Sequence, residues 1–212
     1  MKFGNNWGGR RKGSGPKPKG ERAGVSHQRR AALASRYPVH VTMRLKDGLP
    51  NLRRGGPHRV LRDAFAKGNE RFGFRLVHYS VQKNHMHFIV EAKDRRALSR
   101  GLQGLSVRIA RGLNRLWERK GKVFADRYHD VILKAPAQVR NALLYVIQNV
   151  RRHRPGDYGT DPCSTGPWFD GWRERTSRPK VPSMAARAHT WLLRVGWRKR
   201  GLLSLSIETV PG

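Results

Sequence analysis

The sequence has few of the residues on which several common classes of protein depend. Cys163 is the only cysteine among 212 residues, so no intrachain disulfide framework can form and cysteines cannot build a metal site. Acidic residues are scarce, with 14 Asp and Glu against 45 Lys and Arg. No run of about 18 apolar residues occurs, and the first residues lack the apolar stretch of a secretory signal. We therefore expect a soluble, cytoplasmic protein.

The excess of basic residues predicts a polyanionic partner. The formal net charge is +31 at pH 7. Arg and Lys side chains that neutralise phosphates release condensed counterions, so nucleic-acid binding should be strong at low salt and weaken steeply as salt rises. Basicity alone does not distinguish DNA from RNA.

Composition divides the chain into three parts. Residues 1–36 hold ten Lys or Arg and one acid, Glu21, with scattered Gly and Pro, and predict a flexible basic arm that contacts phosphates, or a linker whose charge aids solubility. Residues 37–153 have the regular hydrophobic periodicity of a folded domain. Residues 154–212 lose that pattern and predict a basic, aromatic extension that wraps onto the domain through its tryptophans.

The periodicity of the middle part predicts an α+β fold. Strand-like alternation and helix-like spacing follow one another, and the two strands around Asn84 are joined too closely for a crossover, so they should form an antiparallel hairpin. We expect a central antiparallel sheet with flanking helices. The predicted strands are 39–45, 74–83, 85–92 and 129–134, and the predicted helices are 58–72, with Phe72 on its apolar face, 94–117 and 137–152.

Two histidines on one predicted strand form the most informative motif. His85 and His87 alternate with apolar residues, so both imidazoles point away from the core. They lie roughly 6.5–7 Å apart along the strand, close enough to share a metal ion. Taken alone, the pair is equally well explained as two surface histidines. With an oxygen ligand added, two imidazoles favour Mg²⁺ or Mn²⁺ over a closed structural Zn²⁺ site.

A tyrosine and an asparagine lie four residues apart in the last predicted helix. Positions i and i+4 share a helix face, so the Tyr145 hydroxyl and the Asn149 amide oxygen can point at one spot. Asn149 can be a third metal ligand, and Tyr145 can be the nucleophile on a phosphodiester. Gln148 is an alternative oxygen ligand. A single tyrosine in an apolar helix is more often a packed aromatic.

Other residues compete for these roles. Tyr79 and Tyr128 have no Asn or Gln four residues later on a predicted helix, so they are weaker candidates for the nucleophile. His40 and His129 can line the same sheet face as the histidine pair. Hydrogen-bonded structural or DNA-contacting roles are the simpler interpretation of both.

The order and spacing of these residues resemble the HUH single-tyrosine transposases, and within them the REP-associated tyrosine transposases of bacteria. His85-Met86-His87 matches the family's histidine, hydrophobic residue, histidine motif on a strand. Residues 143–149 match the helix of the nucleophile, and residues 123–130 resemble the segment before it. The resemblance covers roughly 37–153, and it departs from the family in the basic arm and at 150–152, where many relatives carry Asn-Pro.

The resemblance implies an HUH endonuclease fold, a ferredoxin-like sandwich, as the catalytic domain in 37–153. It implies that His85, His87 and Asn149 hold Mg²⁺ or Mn²⁺ while Tyr145 attacks a phosphate of single-stranded DNA. A 5′-phosphotyrosine link then forms, a 3′-hydroxyl is released, and rejoining is the reverse. The expected activity is DNA transposition on hairpin-bearing DNA, REP-like or from an element end, in the nucleoid. A homodimer and completion of the site in cis or in trans both stay open.

Arginines supply the candidate contacts to DNA. One lies on the polar face of the first strand, several form a helical stripe in 94–117 or just beyond it, and two follow Asn149. In the simpler interpretation, the arginines of the stripe form a solvated helix face. In the more specific one, they contact successive phosphates of a DNA strand. The predicted DNA-binding residues are Arg44, Arg108, Arg111, Arg115, Arg119, Arg151 and Arg152.

Two other classes of function stay open. The first is a noncatalytic nucleic-acid-binding protein, either a domesticated transposase or an RNA-associated protein. Such a protein would bind nucleic acid through its positive charge and would not cleave it. A small zinc-dependent hydrolase would need an acid beside the histidine pair. The nearest acid, Glu91, lies four residues from His87, about 13 Å along the strand.

Overall fold

The computed structural model describes residues 30–152 and 159–206, except for the side chains of residues 151 and 152. Most of the predicted arm, residues 1–29, therefore lies outside the described residues. The same is true of residue 153 of the predicted domain and of residues 154–158 and 207–212 of the extension. No helix within the described ranges is long and apolar enough to cross a membrane. The elements in chain order are β1 Val39–Arg44, α1 Gly55–Gly68, β2 Glu70–Arg71, β3 Phe74–Val81, β4 His85–Ala92, α2 Arg95–Leu116, β5 His129–Ile132, α3 Pro136–Ile147 and α4 Trp191–Arg194.

The strands form one antiparallel sheet with the order β2-β3-β4-β1-β5. The first strand of the chain, β1, lies between β4 and β5, and β3 pairs with the other edge of β4. This is the strand order of a ferredoxin-like sandwich, with α1 and α2 as its two connecting helices. The predicted α+β fold with a central antiparallel sheet is confirmed.

The two faces of the sheet have separate cores. On one face, α1 and α2 pack against the apolar side chains of β1 and β4, among them Val41, Met86 and Phe88. On the other face, α3 and the C-terminal segment pack against Val77 and Ile89. Because strand side chains alternate, the face that carries α3 also carries His85 and His87.

The hairpin β2–β3 differs from the sequence prediction. Helix α1 begins at Gly55 and ends at Gly68, so Phe72 is not part of it. Phe72 and Gly73 instead form the two-residue turn between β2 and β3, with φ angles of 52° and 77°. The side chain of Phe72 is 83% exposed. Its place on an apolar helix face was wrong, because the helical spacing in the sequence continues past the point where the chain turns back.

The described ends of the chain contact the sheet through ion pairs and hydrogen bonds. Arg30 lies 3.2 Å from Asp130 on β5, and its guanidinium stacks 3.7 Å from the centre of the Tyr128 ring. In the C-terminal segment, the buried Asp161 accepts two hydrogen bonds from Arg53, at 2.8 and 2.7 Å. These contacts join residues 30–36 and 159–206 to the body of the domain.

Candidate active site

The histidine pair lies near the start of β4, in the middle of the sheet. His87 is 3% exposed and pairs across the sheet with Thr42 on β1 and Ser80 on β3. His85 is partly exposed and lies opposite Arg44. The two imidazole centres are 4.8 Å apart and their planes are nearly perpendicular, at 84°. The sequence-based expectation that both rings share one face agrees with this arrangement.

Both rings have their Nδ1 atom near a protein group. His85 Nδ1 lies 3.0 Å from Asn84 Oδ1. His87 Nδ1 lies 3.1 Å from Thr42 Oγ1 and 3.3 Å from His40 Nε2. A histidine that binds a metal through Nε2 commonly donates its Nδ1–H to a neighbouring acceptor, and these contacts orient the rings in that way.

His40 is a third imidazole at the site, and burial keeps it neutral. Burial, and secondarily the nearby His129, lowers the pKa of His40 from 6.5 to about 4. A neutral ring that carries its proton on Nδ1 has a free lone pair on Nε2. In that tautomer, His40 Nε2 can accept a hydrogen bond from the Nδ1–H of a His87 ring that is protonated there.

Tyr145 reaches this group from α3, nearly sixty residues later in the chain. Its ring centre lies 4.9 Å from that of His87, at an interplanar angle of 81°, and 5.5 Å from that of His40. Helix α3 begins at Pro136, which suits a first helical position, and buries one side against the sheet through residues such as Leu143. The hydroxyl-bearing side chain is only partly buried and faces the histidines.

The end of α3 differs from the sequence prediction. The α-helix stops at Ile147, Gln148 caps it, and Asn149 begins a 3-10 turn that runs to Arg152. Asn149 is 2% exposed, and its Oδ1 is buried with no hydrogen-bond partner among the residues that the structure describes. Gln148, the rival ligand, uses its Nε2 to donate to the Ser204 carbonyl at 2.8 Å.

The donor atoms of His85, His87 and Asn149 are of types that bind divalent cations. Two imidazoles stand together on β4, and a buried amide oxygen lacks a described partner, which is costly unless another group binds it. Within residues 30–152 and 159–206, no group of three or more His, Cys, Asp or Glu is arranged to hold a metal. The candidate set instead combines two histidines with the amide of Asn149.

The predicted DNA-binding arginines lie on two sides of the sheet. Arg44 is exposed on the face of the histidine pair, 3.2 Å from Asp47. Helix α2 packs on the opposite face, so its arginines are separated from Tyr145 by the sheet. Arg119 donates to Asn114 Oδ1 at 2.8 Å, which is a local structural contact. Of the predicted arginines, Arg108, Arg111 and Arg115 lie on α2, and the side chains of Arg151 and Arg152 lie outside the described residues.

Glu91 has a structural role. Its buried carboxylate accepts hydrogen bonds from the backbone N–H groups of His189 and Thr190, at 2.7 to 3.0 Å, and from Arg75 at 3.3 Å. The carboxylate thus holds the C-terminal segment at the start of α4. The acid that a zinc hydrolase would need is therefore engaged in holding this segment.

The sequence analysis did not assign Thr42 to the site, and the hydrogen-bonded role that it favoured for His40 agrees with the 3.3 Å contact to His87 Nδ1. The alternation of β1 already placed both on its polar face. The missing information was the pairing of β1 with β4, which sets Thr42 opposite His87. Local periodicity does not specify the neighbouring strand.

A solved structure shares this arrangement of sheet and helices. The structure of a REP-associated tyrosine transposase bound to a REP hairpin superposes with a TM-score of 0.53 and 19% sequence identity. The match covers 66% of this chain and 82% of that chain. Together with the five-stranded antiparallel sheet, it shows that the fold is that of the HUH transposases.

Sequence comparison then identifies the family. The family model described as "Transposase IS200 like" matches residues 34–148, and the chain belongs to this family. The resemblance drawn from the histidine motif and the tyrosine helix is therefore confirmed. The matched range includes His85, His87 and Tyr145 and ends one residue before Asn149. No curated protein matches the sequence.

Proposed function

We propose that this protein is a DNA strand-transferring endonuclease that cleaves and rejoins single-stranded DNA through Tyr145, as in DNA transposition. The observation that carries the proposal is the convergence of β4 and α3, with ring centres 4.8 Å apart for His85 and His87 and 4.9 Å apart for His87 and Tyr145. Membership of the IS200-like transposase family supports it.

The protein groups have distinct roles in this proposal. His85, His87 and Asn149 would hold Mg²⁺ or Mn²⁺, which when bound polarises the scissile phosphate and makes its phosphorus more electrophilic. Thr42 and His40 orient the His87 ring through its Nδ1 atom. The neighbouring Met86 and Phe88 are fully buried in the core on the opposite face of β4, and this packing holds His85 and His87 in position.

The reaction is an exchange of phosphoester bonds. The Tyr145 hydroxyl oxygen attacks the phosphorus, the new oxygen–phosphorus bond forms, and the bond to the 3′ oxygen breaks. The proton lost by the tyrosine is balanced by the proton that the leaving 3′ oxygen gains. The 5′-phosphotyrosine conserves the ester, so a 3′-hydroxyl can attack it in the reverse direction without a nucleotide cofactor.

The proposed substrate is single-stranded DNA that carries a hairpin. The similar solved transposase is bound to a REP hairpin, and the net charge of +31 suits a nucleic-acid partner. Tyr145 meets the histidine pair within one chain, which supports cleavage in cis, and a homodimer is not needed for that contact. Because the proposed substrate is DNA, we also propose that the protein associates with the nucleoid in the cytoplasm.

Covalent trapping tests the proposal. The full chain is incubated with labelled hairpin DNA and Mn²⁺, and protein–DNA adducts are separated on a denaturing gel. We expect an adduct with the parent protein and none with Tyr145→Phe. Tyr128→Phe is the matched control, since it removes a hydroxyl that contacts Ser99 on the opposite side of the sheet, and it should form the adduct normally. An undiminished adduct with Tyr145→Phe would exclude Tyr145 as the nucleophile.

The metal role is tested in the same assay. His87→Ala should abolish cleavage and keep most of the DNA affinity, because phosphate contacts elsewhere supply the binding energy. Cleavage by this variant at the parent's rate would contradict the assigned ligand. A parent protein that binds hairpin DNA but forms no adduct with any divalent metal would favour the alternative, a noncatalytic nucleic-acid-binding relative.

A further inference from the structure

Phe72 is exposed at a turn that disfavours its residue type. It is the first residue of the two-residue turn between β2 and β3, and both turn residues have positive φ. Such turns favour Asn, Asp or Gly, because other side chains are strained in the left-handed region. The ring is 83% exposed, so burial does not offset the strain. The Arg71 guanidinium lies 5.4 Å from the ring centre, and a cation–π contact at such an exposed site contributes only about 0.5–1 kcal/mol. Folding stability therefore does not fully account for a phenylalanine at this position.

Several arginines of α2 lie beside this ring. Helix α2 contains six arginines and no acidic residue, and one of them, Arg95, is ion-paired with Asp130. Arg100, Arg108 and Arg111 line an open surface depression together with Phe72. None of these three arginines forms an ion pair within the part of the chain that the structure describes.

Arg108 and Val107 give the depression a lining of mixed character. Arg108 Nη1 is 3.4 Å from the point where a Cβ on Gly104 would lie and 3.5 Å from the same point on Gly68, so its guanidinium lies close against both helices. Val107, 41% exposed, adds an apolar patch to the lining. The depression thus combines cations, an apolar patch and an aromatic ring.

We infer that this depression binds unpaired nucleotides of the DNA substrate, with a base stacked on Phe72 and phosphates at Arg100, Arg108 and Arg111. A positively charged groove with exposed aromatic rings is the combination that binds single strands, since every base offers a face for stacking. The depression lies on the side of α1 and α2, whereas Tyr145 lies on the other side of the sheet. The inference shares with the proposed function only its ligand, single-stranded DNA.

The turn allows a test that separates binding from folding. Phe72→Asn places a residue that tolerates positive φ, so the free energy of unfolding should stay the same or rise. Its affinity for a fluorescent oligothymidine should fall about tenfold, the loss expected for one stacked base. Phe72→Trp should keep the parent's affinity. All variants carry Tyr145→Phe and are measured with a chelator, so that cleavage does not intervene.

Charge-matched variants complete the experiment. Arg108→Gln should weaken oligothymidine binding and reduce its salt dependence. Arg96→Gln removes the same charge from an exposed arginine of α2 outside the depression, and it should change both little. Parent-like affinity of Phe72→Asn would overturn the inference. An equal loss on a blunt duplex of the same length would also overturn it, because paired bases do not stack on the ring. These binding measurements do not depend on adduct formation. The covalent-trapping assay therefore tests the proposed cleavage independently of this inference.

Discussion

At the scale of residues, two neighbouring amides at the end of α3 have similar burial and different surroundings. Gln148 and Asn149 are each 2% exposed. Gln148 donates to the Ser204 carbonyl, while Asn149 Oδ1 has no partner among the described residues. A buried amide oxygen without a partner costs about 1–3 kcal/mol, which a bound cation would recover. Gln148 thus has a structural role, and Asn149 is left as the proposed metal ligand.

Substitution of each amide should therefore have opposite effects. Asn149→Ala should leave the free energy of unfolding without metal unchanged or slightly raised. It should also raise the Mn²⁺ concentration needed for adduct formation by at least about tenfold, the range seen when metal sites lose supporting contacts. Gln148→Ala should lower stability by about 1–3 kcal/mol, because the Ser204 carbonyl loses its donor, and leave the Mn²⁺ requirement unchanged. Urea unfolding in a chelator and Mn²⁺ titration of the adduct measure both. The reverse pattern would make Gln148 the ligand.

At the scale of elements, α2 packs on β3 through a close approach at one glycine. A Cβ on Gly101 would lie 2.1 Å from Cγ of Phe74, whose ring is 1% exposed. At Gly104, one turn later, the nearest atom would be the mobile Arg108 Nη1 at 3.4 Å. Gly101 and Gly104 thus differ in whether a methyl group fits, although both belong to α2.

This difference predicts opposite changes in stability from the same substitution. Gly101→Ala should destabilise the protein by about 1–3 kcal/mol, because α2 must move away from the sheet to relieve the overlap. Gly104→Ala should stabilise it by up to about 1 kcal/mol through helix propensity. Urea unfolding of both variants checks the pair. Equal stability of the two would mean that α2 does not lie as close to Phe74 as described.

At the scale of the whole molecule, the C-terminal segment covers the sheet face next to the candidate site. His78 on β3 lies at this contact, with Nδ1 3.1 Å from Thr165 Oγ1 and its ring 5.6 Å from that of Phe169. Burial lowers the pKa of His78 from 6.5 to about 4, although the carboxylate of Asp170 acts in the opposite direction. The ring is therefore neutral in the folded protein at neutral pH.

Acid should weaken this contact in a defined pH window. The unfolded chain takes up a proton at His78 as pH falls below 6.5, and the folded chain does so only near 4, so stability is lost between these values. For this one group the loss from pH 7.5 to pH 5 is about 2 kcal/mol. Urea unfolding at both pH values should show the loss in the parent, and His78→Gln should show correspondingly less of it. An identical loss in His78→Gln would assign the effect to other groups such as His40.

Much of the fold was predictable because its signals are local. Alternation in β1 and β4, the helical spacing of α2, and the short link at Asn84 each depend on neighbouring residues, and all agree with the structure. The turn at Phe72 was missed, because an apolar residue at helical spacing does not reveal that its backbone adopts a positive φ. The end of α3 was placed too late for a similar reason, since Gln148 and Asn149 keep helical spacing beyond Ile147.

The sequence by itself determined the basic character of the chain, the strand and helix pattern, and the residue types from which a site could be built. Only the tertiary structure decided which of them meet. Thr42 faces His87 because β1 inserts between β4 and β5, and Tyr145 reaches His87 because α3 packs on the histidine face, while α2 and its arginines pack on the other. Periodicity shows which side of an element is buried, whereas the partner that covers it depends on contacts between residues distant in the chain.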